Sequence, residues 1–146
     1  MSDRAHPIRV LLVEDDARDE LMTREAFAEN IRNTLYVVRD GVEAMDFLHR
    51  REAYTDAPRP DLVLLDLNLP RRDGREVLGA IKADPDLRSI PVIVLTTSSA
   101  EEDILRSYHL HANAYITKPV DLDGFLAAVR GIDEFFLTVV RLPGRS

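Results

Sequence analysis

The stretch Asp61-Leu62-Val63-Leu64-Leu65-Asp66-Leu67-Asn68-Leu69-Pro70-Arg71-Arg72-Asp73-Gly74 decides the fold. Leu62 to Leu65 is a short, unbroken apolar run, the pattern of a strand covered on both faces in a parallel sheet. Asp66 ends it, and the Pro70 to Gly74 turn reverses the chain into a helix. A carboxylate at the carboxyl end of a central parallel strand stands where open α/β sheets keep their ligand crevice. An isolated Asp there also suits a plainer role, capping the next helix or accepting from turn amides. Partners elsewhere in the chain decide between the two.

The same alternation repeats outward from this stretch. Ile8 to Val13 reads as a buried strand ending in Glu14-Asp15-Asp16, and Ala17 to Asn30 follows as a helix carrying Leu21, Met22, Ala26 and Phe27 at helical spacing. Three successive carboxylates repel one another, so they need solvent or a cation, and an all-oxygen set suits magnesium. The other reading has Asp16 capping the helix and its neighbours solvated. Leu35 to Val38 is a second strand, with Asp40-Gly41 capping a helix that holds Met45, Phe47 and Leu48. Arg50 to Pro60, polar and broken by Pro58 and Pro60, reads as a loop. Val77, Leu78 and Ile81 mark a helix that stops before Asp84-Pro85.

Pro91 to Leu95 is another buried strand, running into Thr96-Thr97-Ser98-Ser99. The helix after it begins at Ser99 or Ala100 and carries Glu101, Glu102 and Asp103 in its first turn, aligned with the helix dipole. His109 and His111 follow at a helix end with no third ligand nearby in sequence, which favours a solvated pair over a metal site. Ala114 to Thr117 is the last strand, ending at Lys118-Pro119. Five β/α repeats joined by right-handed crossovers place all the strand ends along one edge of a doubly wound parallel sheet. Asp15, Asp66, Thr96 and Lys118 then fall into a single site.

The final helix, roughly Leu122 to Val140, carries two apolar stripes. Leu122, Phe125, Leu126, Val129, Phe136 and Val140 form the stripe assigned to the sheet, and Ala128, Ile132, Phe135 and Val139 form the other. A terminal helix of a small domain cannot bury two faces on its own sheet, so the second stripe is expected to mediate homodimerisation. The alternative leaves it folded back on preceding elements or exposed.

The 146 residues, 45% of them apolar, fit one domain spanning 1–146 that buries roughly two thirds of its unfolded surface. A net charge of −7 with no Lys/Arg stripe argues against direct nucleic-acid binding, and the absence of cysteine excludes disulfides and thiolate chemistry. No signal peptide or membrane-length apolar run is present, and the expected location is cytoplasmic.

An acidic cluster, an isolated Asp, a hydroxyl and an ammonium suit phosphoryl transfer onto Asp66, with magnesium and Lys118 offsetting phosphoryl charge and Thr96 donating a hydrogen bond. At this point the chain resembles the receiver domain of bacterial two-component response regulators. The resemblance lies in Leu12-Val13-Glu14-Asp15, Leu65-Asp66-Leu67-Asn68-Leu69-Pro70 with Asp73-Gly74, Val94-Leu95-Thr96, and Tyr115-Ile116-Thr117-Lys118-Pro119. It implies a flavodoxin-like fold with strand order 2-1-3-4-5 and phosphorylation of Asp66 by a partner histidine kinase. It also implies magnesium held by Asp15, Asp66 and the Asn68 carbonyl, with Glu14 contacting it through water. Thr96 and Lys118 become response residues, and Tyr115 the aromatic whose rotamer follows phosphorylation. Glu14 departs from the Asp many members carry.

More narrowly, the Pro58 to Pro60 loop, Leu95 to Ser99, Ser107 to Leu110, Ala112 to Pro119 and Phe135 to Val140 are similar to the stand-alone regulators that partner bacterial phytochrome kinases. That resemblance implies homodimerisation through the last helix. No output domain is expected after it, so signalling passes through protein contacts or phosphate relay. A magnesium-dependent phosphohydrolase with an Asp nucleophile is the enzymatic alternative, but its leaving-group acid would stand at position 68, which is Asn. A nucleotide-binding module lacks its Gly-rich loop.

Overall fold

The structure, a computed structural model, describes residues 8–28, 33–97, 100, 101, 103, 105, 112–118, 123–125 and 127. Five parallel strands, β1 (Ile8–Val13), β2 (Asn33–Val38), β3 (Leu62–Asp66), β4 (Val92–Thr96) and β5 (Ala114–Thr117), form one sheet in the order β2-β1-β3-β4-β5. Helices α1 (Ala17–Ala28), α2 (Gly41–His49) and α3 (Gly74–Ala83) alternate with them. This is the doubly wound, flavodoxin-like arrangement expected from the five-fold alternation. The strand order reverses between β1 and β3, which opens a crevice at their carboxyl ends.

Strand pleating sorts the apolar runs onto two faces. Leu11, Val13, Val63, Leu65, Val92 and Val94 pack against Met45, Phe47 and Leu48 of α2 and Val77, Leu78 and Ile81 of α3. Val10, Leu12, Leu62, Leu64, Ile93 and Leu95 pack on the opposite face with Phe27 and Phe125, whose rings lie 4.5 Å apart. Phe125 is thus buried, as its stripe assignment requires. Each such fully buried side chain contributes about 1.5–3 kcal/mol by its removal from water.

Local chemistry sets the element ends. Asp40 caps α2 by accepting from Glu43 N at 2.8 Å. Asp73 caps α3 in a reciprocal box with Glu76, and α3 ends at Ala83, with Asp84 extended as its C-cap just before Pro85.

Several details differ from the sequence reading. Strand β2 starts at Asn33 rather than Leu35, and β4 takes in Thr96. The Arg50 to Pro60 segment contains a 3-10 turn at Glu52–Tyr54, and Tyr54 packs its ring 5.5 Å from that of Phe47. On α1, Leu21 and Met22 face solvent, at 55% and 37% exposure, while Glu20 and Thr23 are buried. The polar pair is affordable inside because Glu20 pairs with Arg24 and Arg39, and the Thr23 hydroxyl donates to the Asp19 carbonyl. Ala128, Ile132, Phe135 and Val139, the expected dimer stripe, lie outside the described residues, as do His109 and His111. Among the described residues no helix is long and apolar enough to cross a membrane.

Candidate functional site

Register brings the site residues together. Val13 pairs with Leu65, so Glu14 follows level with Asp66. Asp66 pairs with Leu95, and Thr96 with Thr117, one residue before Lys118. Because β1, β3, β4 and β5 are successive neighbours, residues as far apart as Glu14 and Lys118, 104 positions, share one rim.

The rim is buried where the chemistry is expected. Glu14 is 0% exposed, Asp66 3% and Thr96 1%, whereas Asp15 is exposed. Carboxylate oxygens of Glu14, Asp15 and Asp66 all lie within 4.8 Å of one another. Lys118 Nζ donates to Asp66 Oδ2 at 2.9 Å, to Asp19 Oδ2 at 2.9 Å and to Glu14 Oε2 at 3.2 Å. Asp66 Oδ1 accepts from the Asn68 backbone N–H at 3.0 Å. The Lys118 N–H in turn donates to the Thr96 carbonyl at 2.8 Å, fixing the end of β5 against β4. Tyr115 is half-buried against the α2/α3 side of the core, and its hydroxyl accepts from Ala112 N at 3.3 Å.

The electrostatics follow from this crowding. Burial, then the neighbouring Asp66, push the Glu14 carboxyl up to about 8, against the pull of Lys118. Burial works against the Lys118 charge, but its hydrogen bonds to Asp66, Asp19 and Glu14 prevail and hold it above the ordinary lysine range. One ammonium therefore serves three carboxyl groups, Glu14, Asp19 and Asp66, and Asp15 lies beside two of them. Glu14 Oε1 is buried and receives no hydrogen bond, although the Lys118 ammonium stands 3.0 Å away off hydrogen-bond geometry. Surplus negative charge, an oxygen-only donor set and an under-satisfied buried carboxylate fit a hard divalent cation.

The acidic cluster of β1 divides its labour. Asp16 caps α1, its Oδ1 accepting from Arg18 N at 2.8 Å and Asp19 N at 3.0 Å, and these bonds hold its carboxyl below the usual range. Glu14 and Asp15 are left for the site.

Three participants escaped the sequence reading. Asp19 is the third residue of α1, and its only signal was its place in the helix turn that Asp16 caps over the site. Glu101 accepts from Thr97 N at 2.8 Å and from Asn68 Nδ2 at 3.1 Å, joining the loops after β4 and β3. Arg71, held at φ 63°, makes two bonds to Asp40, at 2.8 and 3.1 Å, and ties the β3–α3 loop to α2.

A five-stranded 2-1-3-4-5 sheet with an acidic pocket and a lysine at its switch point defines a class. The family model of the response regulator receiver domain matches residues 10–130, and the chain belongs to that family. Among curated relatives it is 49% identical over 145 residues to the response regulator Rcp1 of Synechocystis sp., covering 98% of this chain and 99% of the relative. Among solved structures, the phosphorylated cyanobacterial phytochrome response regulator RcpA is 49% identical with a TM-score of 0.75, covering 95% of this chain and 99% of that one. The Mn(2+)-bound form of Rcp1 is 48% identical with a TM-score of 0.74, covering 94% and 100%.

Proposed function

We propose that this response regulator accepts a phosphoryl group on Asp66 from a sensor histidine kinase, and that the kinase is a phytochrome. The observation that carries the reading is Asp66 itself, buried at the end of β3 with one oxygen on Lys118 and the other on the Asn68 amide, beside Glu14 and Asp15. The phytochrome partner rests on the relatives: RcpA is named as a cyanobacterial phytochrome response regulator.

In the step itself, an Asp66 carboxylate oxygen bonds to phosphorus while the bond from phosphorus to the kinase histidine nitrogen breaks, and the leaving imidazole takes a proton. Lys118 offsets the charge on the transferred group. Thr96 then donates its hydroxyl to a phosphoryl oxygen, and Tyr115, next to Ile116 in β5, follows the displaced β4 loop. Asp15, Asp66 and the Asn68 carbonyl, with Glu14 through water, would hold magnesium, which supplies further neutralisation of phosphoryl charge when bound.

Asn68 carries no acidic proton for a leaving group, so the chain is read as an acceptor rather than a turnover phosphohydrolase. A single receiver domain over 1–146 is in keeping with the match to Rcp1, which covers 98% of this chain and 99% of the relative. Its second apolar stripe, Ala128, Ile132, Phe135 and Val139, is read as a homodimer contact. Sedimentation of Phe135→Asp should show a shift to monomer, and an unchanged dimer removes the stripe from the interface.

Incubation with Mg2+ and a small phosphodonor should add one phosphate to the chain, seen by intact-mass measurement, and Asp66→Asn should abolish it. Phosphate retained by Asp66→Asn overturns the assignment.

A further inference from the structure

The two loops that flank Asp66 are joined by one side chain outside the acidic pocket. Glu101, in the first turn of the helix after β4, takes Thr97 N–H on Oε1 at 2.8 Å and Asn68 Nδ2 on Oε2 at 3.1 Å. The Asn68 backbone N–H holds Asp66 Oδ1 at 3.0 Å, and Thr97 directly follows Thr96. A closed circuit results, running Asp66, Asn68, Glu101, Thr97, Thr96 and back across the ladder through Leu95, the partner of Asp66. A carboxylate at a helix start is already favoured by the helix dipole. Reaching across to a second loop restrains a long side chain and has an entropic cost that the dipole does not require.

We infer that Glu101 is a positioning residue, a latch that holds the loops after β3 and β4 in the unphosphorylated arrangement and releases Thr97 when Thr96 moves onto a phosphoryl oxygen. The inference rests on the proposed phosphorylation of Asp66. Thr96 and Thr97 share a peptide plane, so a shift of Thr96 toward Asp66 carries the Thr97 N–H with it, and such a bond weakens steeply as it lengthens or tilts. Glu101 can follow Thr97 only by dragging Asn68, whose N–H orients the reacting carboxylate. The latched form thus competes with the form ready to receive phosphate, and the observed rate scales with the population of the ready form.

Phosphate uptake from carbamoyl phosphate with Mg2+, timed by intact mass, tests the latch. Glu101→Ala should take up phosphate about fivefold faster, the range expected for the net worth of such hydrogen bonds. Glu101→Asp keeps the charge but is too short to span both loops, and should match Glu101→Ala. Glu101→Gln keeps the reach, with its amide meeting a rotated Asn68 amide, and should stay near the parent rate. Glu101→Gln as fast as Glu101→Ala, with Glu101→Asp at the parent rate, would trace the effect to charge and overturn the latch. So would all three variants at the parent rate. A parent protein that takes no phosphate would instead remove the proposed function, so the two failures are distinguishable.

Discussion

Lys118 Nζ and Asp66 Oδ2 stand 2.9 Å apart although 52 positions separate them in the chain. The contact is possible only because β3, β4 and β5 run parallel and end on the same rim. Lys118 also serves Asp19 and Glu14, so it is the central cation of a cluster that is otherwise all carboxylate.

Lys118→Met should therefore leave buried carboxylates facing one another. The expected loss is about 3 kcal/mol at pH 7, in line with breaking a buried ion pair by deleting one partner. Urea unfolding of parent and variant at pH 7 checks it. In the parent, the lysine pKa is raised by folding, so its contribution holds at neutral pH and fades only above its ordinary 10.5. A variant as stable as the parent at pH 7 would show that Lys118 does not hold the cluster together.

Glu14 gives the same sign in a lower pH window. Its carboxyl rises from an ordinary 4.5 to about 8 on folding, so between those values the folded chain binds more protons than the unfolded one. Stability of the metal-free protein should fall as pH climbs from about 5 to 8, by at most roughly 1.4 kcal/mol per pH unit for one proton. Glu14→Gln should flatten that slope in denaturant titrations across the window. An unaltered slope assigns the protons to another group.

What the sequence revealed and what it hid follow one physical division. The strand runs, their order and the convergence of Asp15, Asp66, Thr96 and Lys118 were readable because parallel β/α repeats put every strand end on one edge. Asp19, Glu101 and the Arg71–Asp40 clasp were not, because they depend on how far a side chain reaches from a neighbouring loop or helix turn. The outward Leu21 and Met22 of α1 mislead for a related reason: the inward Glu20 is neutralised by Arg39, which arrives from the far end of β2. Hydrophobic spacing carries no trace of such a partner.

Divalent cation binding should offset the carboxylate surplus. Addition of Mg2+ or Mn2+ at pH 7 should raise the melting temperature, with about 1.4 kcal/mol gained at a tenfold excess over the dissociation constant. Asp15→Asn should blunt the response while leaving metal-free stability nearly unchanged, since Asp15 is exposed. An equal shift in parent and Asp15→Asn protein would place the bound ion away from this residue.

Gly74 links the fold to the site most directly. A Cβ built there would meet the Asp66 carbonyl oxygen at 2.4 Å and Leu67 Cα at 2.6 Å, both backbone atoms that cannot swing aside. The first turn of α3 thus packs directly on the end of β3, where the Gly74 N–H also donates to the Leu67 carbonyl at 3.1 Å. Gly74→Ala must push the helix off the strand or displace Asp66, at a cost of about 1–3 kcal/mol from overpacking. Thermal melts should show the destabilisation. Phosphate uptake by the folded fraction should drop as well, because the reacting carboxylate shifts relative to Lys118 and Asn68. A Gly74→Ala protein with parent stability and parent uptake would mean that the end of β3 yields to the helix without disturbing Asp66.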